Sequence, residues 1–586
     1  MLRAKQICIK FLGAKILQSC FVWRITLASL ALAVVEVEAY KSSIRHDELV
    51  AELNQLGIPV PTGIGVGITQ VEAGNGSATA ILPNSANAEF SGKMITDQDG
   101  GSTNSNHATV VGKNLYGNSS SVAPGISQVD VYGANNWLYN LNWYNGSGEP
   151  SVEPNPIQNH SWVSFVSSSN PSLRMDYAVG RDVFLPIIGL YNSDYGDQNT
   201  ISDIPAIYGS IYNGISVGVN DGSHRFGTTS YDGTGRVKPE IVAPSSFTSY
   251  AAPMVSSVAA FLIDAAGTDT AAQNPITLKA VILAAADKSV SADWDQTPTR
   301  PIDEQYGAGK LDLYESYFIQ QGGQQTAGST IALRGWNLGN ISSTTTDSYT
   351  ITVPAGYELQ NLSALVTWNR DVTRRRQGFN FIYTPSLANL ALKLQDNSGN
   401  TLYNSDSSVD NIEHIWRDSS NGLSEGTYTL EVTSNADAQY AIAWRSELYQ
   451  DFTLWSTTAF DASVPTIDRE AKADPDGDNI DNLLEFALGG DPNTNDRSIL
   501  PIITTVIDAG TRYLELSYTR PKGLDTITYV VQTTSDTTSW PTDGTGVEPD
   551  PSILDNGNET ETLTYRRTEA IDANNRAFMR LKVSTP

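Results

Sequence analysis

Three side chains in this sequence could together break an acyl bond by nucleophilic attack on its carbonyl carbon. Ser249 stands in Phe247-Thr-Ser249-Tyr-Ala-Ala-Pro253, a turn that runs into an apolar stretch ending near Ala265. A serine at a helix start is in the first place a cap. The same position sets its hydroxyl in positive backbone potential, which favours a transient oxyanion. Serine at its free pKa is a weak nucleophile and needs a base. Of the five histidines, His107 in Ser105-Asn-His107-Ala-Thr-Val-Val-Gly112 offers an imidazole at the opening of a helix. A carboxylate to orient it is available in Glu72, at the end of the apolar run Ile64-Gly-Val-Gly-Ile-Thr-Gln-Val71. Open α/β sheets hold their ligands at this carboxyl edge. Taken singly, the three read as a cap, a surface histidine and a solvated strand-end glutamate. Taken together, they are the parts of an acyl-transfer site.

A second constellation concerns metal. Asp474-Pro-Asp476-Gly-Asp478-Asn-Ile480-Asp-Asn482-Leu-Leu-Glu485 sets oxygen ligands at relative positions 1, 3, 5, 9 and 12, with the Ile480 carbonyl at 7. That spacing wraps oxygens around one Ca²⁺, and Glu485 closes the shell from the helix that follows. Asn479 takes the place of the usual glycine at position 6 and tolerates left-handed angles. A merely solvated acidic turn is the plainer alternative. Without a paired second loop the expected role is structural and not that of a sensor.

The elements that must position these residues follow from periodicity. Up to about residue 325, β-like runs such as Gly214-Ile-Ser-Val-Gly-Val219 alternate with helical ones at 107–115, 250–265, 278–286 and 311–320. This predicts an α/β domain over 40–325, a parallel sheet between helices. From 330 to 450 short alternating runs between Gly, Asn and Pro turns predict a β-sandwich, among them Ser348-Tyr-Thr-Ile-Thr-Val353 and Thr427-Tyr-Thr-Leu-Glu-Val432. Trp368 and Trp444 fit its core. The calcium loop falls in a linker over 465–496. A C-terminal β domain occupies 497–586, with a long acidic loop expected between Trp540 and Thr562.

Composition bounds the partners. With 37 Lys+Arg against 64 Asp+Glu, the net charge of the 586 residues is −27. That excess opposes binding to nucleic acid or anionic membrane, so Arg374-Arg375-Arg376 reads as a solvated loop or local ion-pair cluster. Basic residues from Arg3 to Arg24 precede an apolar run over 25–35 and small residues near Ala39, the pattern of an export leader over 1–39. The run is too short to span a membrane. Both cysteines, Cys8 and Cys20, fall inside it, so the mature chain is expected to carry no disulfide.

The order carboxylate, histidine, serine, with these local motifs, resembles the subtilisin-like serine peptidases. That family shows Asp-Ser/Thr-Gly, then His-Gly-Thr-x-Val-Ala-Gly, then Gly-Thr-Ser-x-Ala-x-Pro. The matching residues are Glu72-Ala-Gly74, His107 to Gly112 and Phe247 to Pro253, and the similarity spans about 60–320. Gly233-Thr-Gly-Arg-Val-Lys-Pro-Glu-Ile-Val-Ala-Pro244 resembles the family's lead into its nucleophile. The resemblance implies a Glu72-His107-Ser249 triad. It implies an oxyanion donor at Asn192, in Leu185-Pro-Ile-Ile-Gly-Leu-Tyr-Asn192, and a cleft wall at Asn159-His160-Ser161-Trp162. Glu72, Ala108 and Phe247 depart from the family's Asp, Gly and Gly. The sandwich resembles β domains appended to secreted peptidases of this kind, and the calcium loop resembles linker repeats of large secreted bacterial proteins. A monomeric secreted endopeptidase acting on proteins or peptides follows, in solution or at the cell surface, with structural Ca²⁺ and no cofactor in its chemistry. The rival reading is a non-catalytic adhesion or scaffold protein. A serine esterase of another class is disfavoured because no Gly-x-Ser-x-Gly surrounds Ser249.

Overall fold

The computed structural model describes residues 40–144, 146–164, 168–192, 207–230, 232–378, 380–557, 560–571 and 576–585. The expected leader, with both cysteines, lies outside the described residues. The chain forms two compact units. One comprises the chain up to Ile351, with Ser363–Trp416 and Tyr428–Arg445. The other comprises Thr352–Leu362, Arg417–Thr427 and the chain from Ser446.

The first unit is built on seven strands: β1 (Gly67–Glu72), β2 (Met94–Asp97), β3 (Gln128–Gly133), β4 (Ile157–His160), β5 (Leu185–Gly189), β6 (Ile215–Val219) and β7 (Ile241–Ala243). They line up as β7-β6-β5-β4-β1-β3-β2, and every pairing is parallel. β4 to β7 are buried throughout; β5 to β7 therefore carry largely apolar runs where a half-exposed strand would alternate, while β4 buries the polar side chains of Gln158, Asn159 and His160. The helices are α1 (His46–Leu56), α2 (Asn106–Tyr116), α3 (Asn170–Asp182), α4 (Thr248–Ala265), α5 (Pro275–Ala285) and α6 (Leu313–Gln321). All α5 side chains and nearly all of α4 are buried, which explains why neither shows an amphipathic stripe.

Strand order reverses at β1, which pairs with β3 on one side and β4 on the other. Such a switch point opens a crevice beyond the carboxyl ends of the strands. Glu72 ends β1, the segment after β5 leads to Asn192, and β7 leads into the start of α4. At Gly189 a Cβ atom would lie 3.0 Å from the Thr248 carbonyl oxygen, so a larger residue would have to push that helix start back.

The first unit also contains most of the predicted sandwich. β8 (Arg334–Ile341), β9 (Thr346–Val353), β10 (Glu358–Trp368), β11 (Asp371–Gln377), β12 (Asn380–Ser386), β13 (Leu390–Asp396), β14 (Thr401–Ser405), β15 (Ile412–Arg417), β16 (Gly426–Ser434) and β17 (Ala438–Tyr449) follow one another. Two four-stranded sheets form, β8-β17-β10-β15 and β9-β16-β13-β14. Tyr349 of one meets the other through Tyr440, hydroxyl to hydroxyl at 2.7 Å, and through the Trp444 ring. Trp368 and Trp444 are buried, their indole N–H groups donating to the Ala388 and Ala332 carbonyls. The three arginines, expected in a solvated loop or a local ion-pair cluster, lie on β11 of the β11–β12 hairpin, where Arg374 pairs with Glu149 and covers the Phe381 ring.

These sheets are joined to the parallel-sheet domain by buried polar contacts. The Arg370 guanidinium bonds Asp176 through Nε (2.9 Å) and Asp232 through Nη1 and Nη2 (2.5 and 2.8 Å). Asn411 donates to the Tyr212 carbonyl at 2.9 Å. Ser363 bonds both the Ala284 carbonyl and His414.

The second unit holds α7 (Phe452–Thr458), α8 (Asn482–Leu488) and the strands β18 (Ile502–Asp508), β19 (Thr511–Pro521), β20 (Thr528–Thr534), β21 (Ser552–Asp555), β22 (Thr560–Arg566) and β23 (Phe578–Ser584). Its sheets run β18-β19-β22-β21 and β20-β23. β21 interrupts the loop expected between Trp540 and Thr562. All of β21 and nearly all of β18 are exposed, and edge strands of that kind lack the buried alternation that makes a strand legible. Among the described residues, no helix is long and apolar enough to cross a membrane.

Candidate active site

Glu72 is fully buried, and its Oε2 lies 2.9 Å from His107 Nδ1. His107 enters α2 just after Ser105, whose hydroxyl caps the helix by accepting the Ala108 N–H. The extra methylene of glutamate therefore does not keep the two apart. An Nδ1–H directed at Glu72 leaves Nε2 as the basic nitrogen, the tautomer that the network requires. Burial disfavours the imidazolium, but the hydrogen bond and charge of Glu72 outweigh it and hold His107 above the ordinary histidine range.

The second oxygen of Glu72 is also held. Gln70 Nε2 donates to Oε1 at 2.8 Å and to the Ala108 carbonyl at 3.3 Å, while Gln70 Oε1 accepts from the Tyr116 hydroxyl at 2.7 Å. Gln70 and Glu72 are two apart on β1 and so share a face. Tyr116 ends the helix that carries His107. One strand and one helix thus clamp the carboxylate at both oxygens.

Ser249 is the second residue of α4, and Phe247 before the helix is extended (φ −141°, ψ 140°). That conformation suits any residue, so the glycine usual in the motif is not needed for the turn. The first N–H groups of a helix have no intrahelical acceptor. That of Thr248 is taken by Asn192 Oδ1 at 2.9 Å, and the Thr248 hydroxyl lies 3.2 Å from the same oxygen. With Oδ1 engaged, the Asn192 amide N–H₂ is the group left to donate. Asn192 also makes a bridge with His224, a buried residue whose ring bonds the Val219 N–H and the Gln305 carbonyl.

His107, Asn192 and Ser249 line one cleft of about 440 Å³, with Gly74, Trp162, Phe247 and Tyr250 among its other walls. Tyr250 packs on the His107 ring at 5.6 Å and on Phe247 at 5.7 Å. His160 lies buried among Trp137, Trp162 and Tyr208. Burial pushes its pKa down to about 3 and that of His224 to about 4, so both are neutral at working pH. His46 pairs with its neighbour Asp47, and His414 is buried against Ser363.

The acidic loop brings ligand oxygens of Asp474, Asp476 and Asp478 within 4.8 Å of one another. Asn479 adopts φ 70°, the left-handed turn expected at position 6. Ile480 is buried, and its N–H donates to Asp478 Oδ1 at 2.7 Å. Asn482 braces the loop by donating to the Asp468 and Glu470 carbonyls at 2.9 and 2.8 Å. Glu485 is buried, yet neither of its carboxylate oxygens has a protein partner, and the same is true of Asp476 Oδ2 and Asn482 Oδ1. Burial, with the charges of Asp476, Asp496, Asp478 and Asp491, pushes Glu485 up to about 8. Buried carboxylate oxygens left without donors are the arrangement a hard cation satisfies, so these residues fit Ca²⁺.

The sequence reading overlooked Gln70, Tyr116 and Asp496. A glutamine inside an otherwise apolar strand, two residues before the carboxylate, was a legible signal for the first. The other two had none, because their partners lie far away in the sequence or outside the motif.

No family model matches the sequence, and no curated protein matches it. Among solved structures the chain is similar to the prenylagaramide maturation protease PagA, with 16% identity over 46% of this chain and 96% of that one, at a TM-score of 0.32. A protease from Pseudoalteromonas arctica gives 16% identity over 44% of this chain and 91% of that one, at 0.32. A cold-adapted subtilisin-like serine proteinase gives 18% identity over 43% of this chain and 90% of that one, at 0.30. Likenesses this shallow place the chain in no family, and its function is read from its own residues.

Proposed function

We propose that this chain is a secreted serine endopeptidase of the subtilisin-like kind, cleaving protein or peptide substrates through an acyl-enzyme. The observation that carries this reading is the pairing of buried Glu72 with the partly exposed His107, at a cleft that Ser249 and Asn192 also line. In the proposed cycle His107 Nε2 takes the Ser249 proton as Oγ attacks the scissile carbonyl. The Asn192 amide and the Ser249 N–H, at the positive end of α4, stabilise the oxyanion. His107 then protonates the leaving amine, the C–N bond breaks, and water activated by the same imidazole releases the acyl group. Glu72 keeps the imidazole in its working tautomer and offsets its transient positive charge.

Asp474, Asp476, Asp478, the Ile480 carbonyl, Asn482 and Glu485 would hold one Ca²⁺, whose part is to stiffen the linker and not to enter the chemistry.

Labelling with a fluorophosphonate probe tests the catalytic reading, since an activated serine is captured where an ordinary one is not. Labelling of the folded chain at pH ~8, abolished by Ser249→Ala, is the expected result. Folded protein that labels no faster than the Ser249→Ala variant would instead establish the non-catalytic scaffold.

A further inference from the structure

Asp496 lies outside the twelve-residue loop, eleven positions beyond Glu485. The chain folds back so that its N–H donates to Asp478 Oδ2 at 3.2 Å, while Arg497 Nη1 donates to the Asp478 carbonyl at 2.5 Å. Asp496 Oδ2 accepts the Asp491 N–H at 3.2 Å, closing a short strap from 491 to 496. Its other oxygen, Oδ1, is buried and has no protein partner. The orphan oxygens of this region are therefore contributed by the loop and the strap together.

Electrostatics makes the juxtaposition costly in the absence of a cation. Glu485 is only 1% exposed, and both of its oxygens lack donors. Among the described residues, none of Asp474, Asp476, Asp478, Glu485, Asp491 and Asp496 has a lysine or arginine ion-pair partner. Removing a carboxylate from water without a compensating charge costs several kcal/mol, and here Asp478 and Glu485, each 1% exposed, are both buried in the loop. The donors are all oxygens and include no sulfur or imidazole, which selects calcium over the softer transition metals.

We propose that Asp496 is a ligand of the cation held by the Asp474–Glu485 loop, so that one Ca²⁺ ties the loop to the strap leading into the terminal sheets. The inference rests on the calcium reading of the loop. It makes the metal a cross-link between two chain segments, and calcium thereby orders the entry to β18.

Calcium titration of the full chain by calorimetry tests it, with Asp496→Asn and Glu485→Gln as variants. One site lost in Glu485→Gln and at least tenfold weaker in Asp496→Asn is expected. Thermal melts in chelator and in calcium supply the control. Without metal, Asp496→Asn removes a repelling charge, so it melts no lower than the parent chain, yet it gains less from added calcium. A residue that merely shapes the strap would lower both melts by the same amount, because its loss is felt with or without the ion. Equal calcium affinity and equal calcium-induced stabilisation in parent and Asp496→Asn overturn the role of Asp496. No loop-dependent calcium binding in the parent chain overturns the loop reading itself.

Discussion

Replacing Gln70 by methionine tests whether the clamp behind Glu72 contributes to catalysis. Methionine keeps the length and volume of the side chain but removes the donor to Glu72 Oε1 and the acceptor for Tyr116. A hydrogen bond to a charged group is worth about 1.5–3 kcal/mol, against about 1 kcal/mol for a neutral pair. Glutamate carries one more rotatable bond than aspartate, so a carboxylate held only by His107 loses the orientation that the second oxygen enforces. If the lost interaction is felt in the transition state, where the imidazolium is formed, kcat/KM falls roughly ten- to hundredfold. Tyr116→Phe acts one bond further away and should cost only about fivefold. The pH profile gives an independent reading. His107 must be neutral to act as base, so activity is lost as pH falls through its pKa, which Glu72 raises against the opposing effect of burial. Loosening Glu72 weakens that support, and the acid limb of kcat/KM should shift to lower pH in Gln70→Met. The assay is steady-state cleavage of a quenched fluorescent peptide from pH 5 to 9, with active sites counted by fluorophosphonate and temperatures kept well below the melt. An unchanged kcat/KM and an unshifted acid limb in folded Gln70→Met would refute the reasoning.

Three further outcomes follow from the geometry. Glu72→Asp restores the residue usual in the motif but withdraws the carboxylate by about one bond length from a fixed backbone. A misplacement of about 1 Å costs around a hundredfold, so kcat/KM should fall by that order. Asn192→Ala removes the donor poised by Thr248, and kcat should fall by about 10²–10³ with KM little changed, as measured on the same peptide. Arg370→Met strands Asp176 and Asp232 without their cation, and denaturant unfolding should register a loss of about 3–5 kcal/mol. An unaltered unfolding midpoint would mean that this contact does not hold the β sheets to the parallel-sheet domain.

The candidate site was legible where its logic is local. A strand end, a helix start and a turn into a second helix are each marked by neighbours within a few residues, but Glu72, His107 and Ser249 each read alone as an ordinary residue, and only their order and joint motifs made them candidates. The acidic loop could be singled out for the same reason, since its oxygen-bearing residues recur at fixed spacing in twelve residues. The strands β18 and β21 were not, because most of their side chains face solvent and leave no buried period to detect. The charge of Arg374, Arg375 and Arg376 reads as a loop or an ion-pair cluster; Arg374 does pair with Glu149, but the strand they lie on shows only once its facing strand is present.

The sequence by itself therefore determined which groups could do chemistry and in what order they occur, because capping, strand period and ligand spacing act over one or two turns of chain. Only the tertiary structure decided how each group is held. Glu72 reaches His107 across 35 positions and is clamped by Gln70 and Tyr116. Asn192 is turned by Thr248 from 56 positions away, and the strap brings Asp496 to Asp478 across 18. These contacts depend on which strand ends converge at the switch point and on where a helix or strap folds back. No local pattern encodes that convergence, because the packing that enforces it involves the whole core at once.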